Sequence, residues 1–277
     1  MKFSITNQET AQKWIEIFKI IKNLNTYTTI YGKEDSLFIQ IMDDSHICLM
    51  NIDIKKDWFA SYELSSGIEE VLSFHSNIIV KILNLYINNC VMIFESTDEK
   101  FEISFQYEDK TEKNFQIPLI NIDNELLESQ NIEGSLEFEI DTKVFDKYIS
   151  EMLMFGDSME FICYKDNLYM KSSGEEGNYS LKIPYSTINE MIVEEDLKLK
   201  TSVTLKYLHF LTKSNGVFKT IKLKIQENYP FQLMIDEPMF LISYYVAPKF
   251  TDDDDDNMND YSEFDNSDDE ELKNIVM

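Results

Sequence analysis

The sequence predicts an α+β fold in which one arrangement of helices and antiparallel strands is written twice. Three observations predict it. Apolar residues recur with helical period in four segments, and with period two through most of the chain between them. The intervals between strand-like runs are too short for βαβ crossovers. The order of segments then repeats at a nearly constant offset, with Trp14 answered by Phe145, Leu37 by Leu168 and Lys81 by Lys206. A chain of 277 residues with 43% hydrophobic and 13% aromatic content has material for two cores.

The division falls at residues 118–134, an acidic stretch without a helical apolar face. It carries Leu119, Ile120, Ile122, Leu126 and Leu127 where a solvated linker would carry Ser and Gly, so it is expected to lie against the protein. The predicted organisation is an N-terminal domain (residues 1–117), this connector, a second domain (135–250), and a low-complexity acidic tail (251–277) expected to be disordered.

In order along the chain, Thr6-Asn7-Gln8-Glu9 has the pattern of a capping box and opens a helix to Leu24. Ala11, Trp14, Phe18 and Ile21, with Ile17 and Leu24, form its apolar stripe, and Gln12, Glu16, Lys19 and Asn23 centre the opposite face between Lys13 and Lys22. Strands are predicted over 36–42 and 47–54, separated by the turn Asp43-Asp44-Ser45-His46. A second helix is read over 73–88, with Ile78, Ile79, Ile82, Leu85 and Tyr86 inward and Lys81 outward. Strands over 90–95 and 101–107 flank Thr97-Asp98-Glu99, and 114–119 leads into the connector.

The second half opens with a strand over 135–140 and a helix capped by Asp141, with Val144, Phe145, Tyr148, Ile149 and Met152 inward. Strands follow over 160–171 and 178–183. A last helix spans 204–215 and is closed by Gly216. Strands over 218–226, 231–235 and 240–247 complete the fold.

Composition excludes several classes of function. No apolar run approaches the roughly 18 residues needed to cross a bilayer, and the N-terminus lacks a signal-peptide core, so a soluble intracellular protein is expected. Cys48, Cys90 and Cys163 lie far apart in apolar runs and are expected to be buried, reduced thiols. The three histidines have no metal-ligand spacing, and no Gly-rich phosphate loop, paired-carboxylate or HExxH motif occurs. No cofactor and no catalysis are expected. His46 has no nucleophile or carboxylate partner in a recognisable arrangement, which favours a turn or contact role over a catalytic base.

Charge raises the sharper question. The net charge is −26; residues 251–277 hold 12 acids and one lysine, leaving 39 acids against 24 lysines in residues 1–250. Such a protein meets nucleic acid only through segregated positive charge. There is no arginine, so any contact is lysine to phosphate, without base preference. Lysines do recur on the polar face of each predicted helix: Lys13, Lys19 and Lys22; Lys81; Lys143 and Lys147; Lys206 and Lys213. Taken one helix at a time these are ordinary solvated faces. If all four helices line one surface, they form a basic floor.

Four pieces of sequence carry a resemblance. Met42-Asp43-Asp44-Ser45-His46 between strands, Leu205-Lys206-Tyr207-Leu208 with Phe210-Leu211-Thr212-Lys213, the turn Ser172-Ser173-Gly174-Glu175-Glu176-Gly177, and the ending Tyr244-Tyr245-Val246-Ala247-Pro248-Lys249 resemble the sliding clamps of the proliferating cell nuclear antigen family. The resemblance runs from the first helix to Lys249. It implies a homotrimeric ring of similar domains, sheets outside and helices lining a channel around duplex DNA, that tethers DNA polymerase and other replication and repair proteins. Lys13, Lys19, Lys81, Lys147, Lys206 and Lys213 match basic channel positions, whereas Asn84 and Ser150 fall where the family often has a positive residue.

The resemblance also implies a pocket for short client motifs of polymerase, clamp loader and other partners, at Met42, His46, Ile47, Leu49, Leu127, Pro230, Tyr245, Ala247 and Pro248. The competing reading is ordinary core for Ile47 and Leu49. After Leu127 the connector departs from the family pattern at Glu128-Ser129-Gln130, with Ile132 as a substitute. Ring closure is expected between residues 113–119 of one subunit and 178–183 of the next. A monomeric clamp-like processivity or late-transcription factor is the alternative. The wealth of lysine, asparagine and isoleucine without arginine suggests an AT-rich genome such as that of a large DNA virus, hence action in a nucleus or viral replication compartment. For the tail the first reading is a solubilising end, with DNA mimicry or a docking motif near Tyr261 and Phe264 as the secondary ones.

Overall fold

The first helix shows how directly the apolar pattern becomes packing. In the computed structural model, which describes residues 1–249 except 66, 68, 98, 123–124, 129–132, 189 and 215, helix α1 spans Gln8–Leu24. Asn7, rather than Thr6, caps it: Asn7 Oδ1 accepts the N–H of Glu9 (2.8 Å) and Thr10 (3.2 Å). Its stripe is buried from Ala11 to Leu24, and Trp14 packs edge-on against Phe3, Phe18 and Phe94.

The N-terminal half runs β1 (Lys2–Ile5), α1, β2 (Tyr27–Gly32), β3 (Ser36–Met42), β4 (Cys48–Lys55), β5 (Ser61–Glu63), β6 (Glu70–His75), α2 (Ser76–Leu83), β7 (Cys90–Ser96), β8 (Lys100–Tyr107) and β9 (Glu112–Pro118). The second half repeats it element for element: β10 (Leu136–Asp141), α3 (Thr142–Met152), β11 (Ser158–Tyr164), β12 (Asn167–Gly174), β13 (Gly177–Pro184), β14 (Ile192–Val193), β15 (Leu199–Thr204), α4 (Leu205–Thr212), β16 (Thr220–Ile225), β17 (Phe231–Glu237) and β18 (Phe240–Val246). Sheet order repeats as well. Strands β5-β1-β7-β8-β9 correspond to β14-β10-β16-β17-β18, and β4-β3-β2-β6 to β13-β12-β11-β15.

The halves join by antiparallel pairing of β18 with β4, in register from Phe240 opposite Ile54 to Val246 opposite Cys48. This makes one nine-stranded sheet of five strands from the second half and four from the first. Buried side chains of both halves form a single contiguous core. On the other side of the sheets the helices pack in the order α2, α1, α4, α3.

Several boundaries differ from those the sequence predicts. The helix read over 73–88 is shorter, because β6 takes the residues before Ser76 to pair with β2; buried hydroxyl contacts join Thr29 to Ser73 and Thr28 to Ser76. Leu85, read as inward, is 50% exposed. Val144 of α3 is likewise exposed, although Asp141 caps that helix as expected. The run 160–171 is a hairpin, β11 and β12, turning at Lys165 with φ 52° without a glycine to mark it. Gly216 does not close α4: Lys213 is the capping residue, and Gly216 lies beyond it with φ 70°. All three cysteines are buried and free. The tail, Asp98 of the turn after β7, and connector residues Ser129, Gln130 and Ile132 fall outside the described residues.

Candidate functional site

The helix layer carries most of the lysines the sequence singles out. Lys22 on α1, Lys81 on α2, Lys143 and Lys147 on α3, Lys206 on α4 and Lys213 at its C-cap are exposed. Lys19 is half-buried, paired with Glu16 at 2.7 Å, and shares a groove of about 400 Å³ between α1 and α4 with His209, Phe210 and Lys213. Lys147 reaches Glu151 at 3.8 Å, and Lys206 lies 5.0 Å from the Tyr207 ring. Lys13 departs from the pattern. It is buried, paired with Glu9 at 2.9 Å and Glu237 at 2.6 Å, and stands over the Phe240 ring, so it braces α1 against β17 and β18 and is not open to a phosphate.

The outer face of the nine-stranded sheet holds the other candidates. Strand register sets Met42 beside Leu49, Leu49 beside Tyr245, and Tyr245 beside Gln232. Two hairpins distant in sequence, β3–β4 and β17–β18, thus supply one row. Met42, Leu49 and Tyr245 are half-buried, as are Ile47, Pro230, Ala247 and Pro248 around them, while His46 and Leu127 are exposed. Ile47 is packed against the edge of the core, and both it and Leu49 keep part of their surface in solvent. Ala247 is tied to the turn by its N–H, which donates to Ile47 O.

The turn itself is organised by Asp43. Its carboxylate accepts the N–H of Ser45 (3.1 Å), Ile47 (2.8 Å) and Cys48 (2.6 Å), and the Tyr207 hydroxyl donates to it at 2.6 Å. These bonds hold His46 in the left-handed region, φ 58°. Tyr207 belongs to α4, and its carbonyl accepts the Tyr244 hydroxyl at 2.8 Å, so the turn, the helix layer and β18 share one buried network. Burial tends to raise the Asp43 carboxyl, but the bonds from Tyr207 and from the N–H groups of Cys48, Ser45 and Ile47 outweigh it and hold it below its usual 3.8. Burial pushes the Cys48 thiol up to about 12, which leaves it inert. The sequence marks Asp43 only as a turn residue; the contact with Tyr207 has no local signal.

The connector crosses this face from the end of β9. Ile120 N–H donates to Ser73 O on the edge of β6, and further on Gln40 bonds the main chain of Leu127 twice, Nε2 to O at 2.9 Å and N–H to Oε1 at 2.7 Å. At Ile120 and Leu127, among its described residues, the greasy connector is tied to the protein, as its composition predicts.

Strands β9 and β13 each end a sheet, pairing on one side only. Among the described residues no cluster of His, Cys, Asp or Glu could hold a metal ion, and no helix is long and apolar enough to cross a membrane.

A duplicated domain with its helices in one layer and its halves joined by the pairing of β18 with β4 is the architecture of a clamp subunit. Two models of one family match the chain: the proliferating cell nuclear antigen N-terminal domain over residues 7–127 and its C-terminal domain over 132–249. The chain belongs to the proliferating cell nuclear antigen family. It is 26% identical over 254 residues to a probable DNA polymerase sliding clamp 2 of Paramecium bursaria Chlorella virus 1, covering 90% of this chain and 91% of that one. It is 22% identical to proliferating cell nuclear antigen 2 of Drosophila melanogaster, over 86% and 94% of the two chains. The fold superposes with a TM-score of 0.79 on the Entamoeba histolytica proliferating cellular nuclear antigen, at 19% identity over 90% of this chain and 98% of that one.

Proposed function

We propose that this chain is the subunit of a DNA sliding clamp: a homotrimeric ring that encircles duplex DNA and tethers a polymerase and other replication and repair proteins. One observation carries the reading. Within the chain, β18 of one half pairs with β4 of the other while α4 packs on α1. Under the duplication, the counterparts of β18 and β4 are β9 and β13, both unpaired on their outer side, and the counterparts of α4 and α1 are α2 and α3. Joining β9 of one copy to β13 of the next repeats the internal junction between subunits. Such a head-to-tail contact closes into a ring when its rotation permits.

The side chains at those edges suit the junction. Phe115 on β9 and Tyr179, Leu181 and Ile183 on β13 are half-buried against the core, as the rim of an unfinished interface would be. Beyond α2, Leu85 and Ile87 are exposed; beyond α3, Met154 is 69% exposed. Apposed α2 and α3 would cover them, and an edge so paired is no longer open to aggregation.

A closed ring retains DNA by topology, so exposed lysines on its helix layer need supply only weak contacts to phosphate, which permit sliding. The proposed DNA-facing set is Lys19, Lys22, Lys81, Lys143, Lys147, Lys206 and Lys213. The row Met42, Leu49 and Tyr245, with His46, Ile47, Leu127, Pro230, Ala247 and Pro248, is the proposed docking groove for client peptides, polymerase and clamp loader among them; tethering raises a client's effective concentration at the DNA. The arginine-free composition and the similarity to a viral clamp support action in a viral replication compartment or a nucleus.

Light scattering tests the ring: the solution mass should be three times the 32.7 kDa of one chain. Protein threaded onto linear DNA should stay while both ends are blocked and leave once one end is cut. A monomer mass at micromolar concentration, or equal release from blocked and open DNA, favours the monomeric accessory factor instead.

A further inference from the structure

Strands β11 and β12 are apolar on both faces. Phe161, Cys163, Leu168 and Met170 enter the main core, whereas Ile162, Tyr164 and Tyr169 alternate with them and form a small separate cluster on the outer face. The helices lie on the core side of this sheet, yet Ile162 is only 1% exposed and both tyrosines are buried with it. Lysine stems supply part of the cover: Lys182 stands 6.0 Å from the Tyr169 ring, and Lys165 and Lys198 stand 5.4 and 5.5 Å from that of Tyr164. Register adds two more lysines to the same face, Lys200 opposite Ile162 and Lys171 opposite Glu160.

On a chain of net charge −26, an aromatic face ringed by lysines is the exception, and it suits an acidic ligand that carries aromatic side chains. Glu160 already pairs with Lys200 at 2.9 Å, and a groove of about 640 Å³ beside Tyr164 is lined by Asp166, Glu194, Glu195 and Asp196. Such a ligand therefore belongs over the strands, toward Lys171 and Lys182, rather than in that groove. The chain itself delivers one. Past Pro248, the Lys249 N–H donates to Ser202 O on the edge strand β15 at 2.7 Å, which brings the main chain to the border of this sheet. Residues 250–277 follow, with the run Asp252–Asp256 and then Tyr261 and Phe264. From β15 to β13 is three strand spacings, about 14 Å. Extended chain from Lys249 to Asp256 reaches up to about 23 Å, enough to cross it.

We propose that the acidic tail folds back over the outer face of β11, β12, β13 and β15 of its own subunit. Its aspartates lie among Lys171, Lys182 and the neighbouring lysines, and Tyr261 and Phe264 pack against the cluster of Ile162, Tyr164 and Tyr169. Attachment beside β15 makes the contact intramolecular, so a weak attraction suffices. Seated there, the tail completes the cover of an outward apolar face. It also holds its negative charge on the side of the sheets away from the helix layer, where it would compete with phosphate for the lysines. The inference depends neither on ring closure nor on the client groove.

The test is zero-length carbodiimide coupling of the full chain, which joins a carboxylate to a lysine it touches, with the exposed Lys2–Glu95 pair at 2.8 Å as internal standard. In about 0.05 M salt, peptide mapping should place coupling of Asp252–Asp256 on Lys165, Lys171, Lys182, Lys198 and Lys200 at least about fivefold more often than on Lys22, Lys81, Lys143 and Lys206. The product should run as a single chain on a denaturing gel, and about 0.5 M salt should reduce its yield severalfold against the standard. The double variant Tyr261→Ala, Phe264→Ala changes tail residues only and should lower the yield about threefold. Coupling spread evenly over the exposed lysines, coupling found only in a two-chain band, no coupling of the tail, or a yield untouched by the aromatic substitutions overturns the proposal.

Discussion

Asp43 is the residue whose loss should reach furthest. Replacing it with alanine removes four hydrogen bonds at once and orphans two buried donors, the Cys48 N–H and the Tyr207 hydroxyl. At roughly 1 kcal/mol for each bond, Asp43→Ala should cost about 3–4 kcal/mol in urea unfolding at fixed protein concentration. Tyr207→Phe removes one bond and should cost about 1 kcal/mol. Because the turn carries His46 and Ile47 and adjoins Met42, client-peptide affinity should fall about tenfold in Asp43→Ala, equivalent to about 1.4 kcal/mol. The pH dependence has a fixed sign. The folded-state carboxyl lies below 3.8, so its contribution is complete above the unfolded value and drains away as pH falls through the folded one. The stability gap between wild type and Asp43→Asn should therefore be flat near neutrality and narrow below about pH 4. An Asp43→Ala protein within 1 kcal/mol of wild type, roughly the worth of a single bond, or a gap that widens on acidification, would refute the reasoning.

Three further outcomes are expected. Leu85→Glu combined with Met154→Glu alters side chains exposed in the monomer, so unfolding of the isolated chain should be unchanged while light scattering reports loss of the trimer. Lys13→Ala and Lys81→Ala should separate by assay: the first costs about 2 kcal/mol by breaking a part-buried pair and leaves the salt dependence of DNA sliding alone, whereas the second is neutral in unfolding and makes the salt slope shallower by about 0.9. Tyr245→Ala should weaken peptide binding about 30-fold, a loss of about 2 kcal/mol typical of an aromatic anchor, measured by anisotropy alongside circular dichroism to show the sheet intact.

What the sequence discloses depends on how much of an element's surroundings it records. Helix α1 and strands β3, β17 and β18 are legible because one face of each packs on the core, which imposes a period on their own residues. Strand β15 is not. Lys200, Thr201 and Ser202 give it no apolar alternation, and its strand character comes from pairing with β11. Residues 73–75 read as the start of a helix, whereas the ladder of β6 to β2 makes them the end of that strand. The proposed client row is legible only as a resemblance, since Met42, Leu49, Tyr245 and Gln232 meet through three strand registers that no local pattern specifies. Lys13 shows the converse error. Its place on the helix suggested a free charge, but Glu237, 224 residues away in sequence, takes it.

That lysine bears on how such a clamp must work. With Lys13 buried and Lys19 and Lys147 facing Glu16 and Glu151, the helix layer offers each duplex few uncompensated charges: among the described residues Lys22, Lys81, Lys143, Lys206 and Lys213 carry no ion pair. The rest of the molecule is net negative and repels the same phosphates. Attraction alone therefore cannot hold DNA at moderate salt, where each lost phosphate contact lowers the affinity further. Under the proposed ring, retention comes from closure, and closure from the pairing of β9 with β13. It follows that charge-reducing changes in the helix layer should alter how fast the ring slides far more than how long it stays, while changes at the two edge strands should do the reverse.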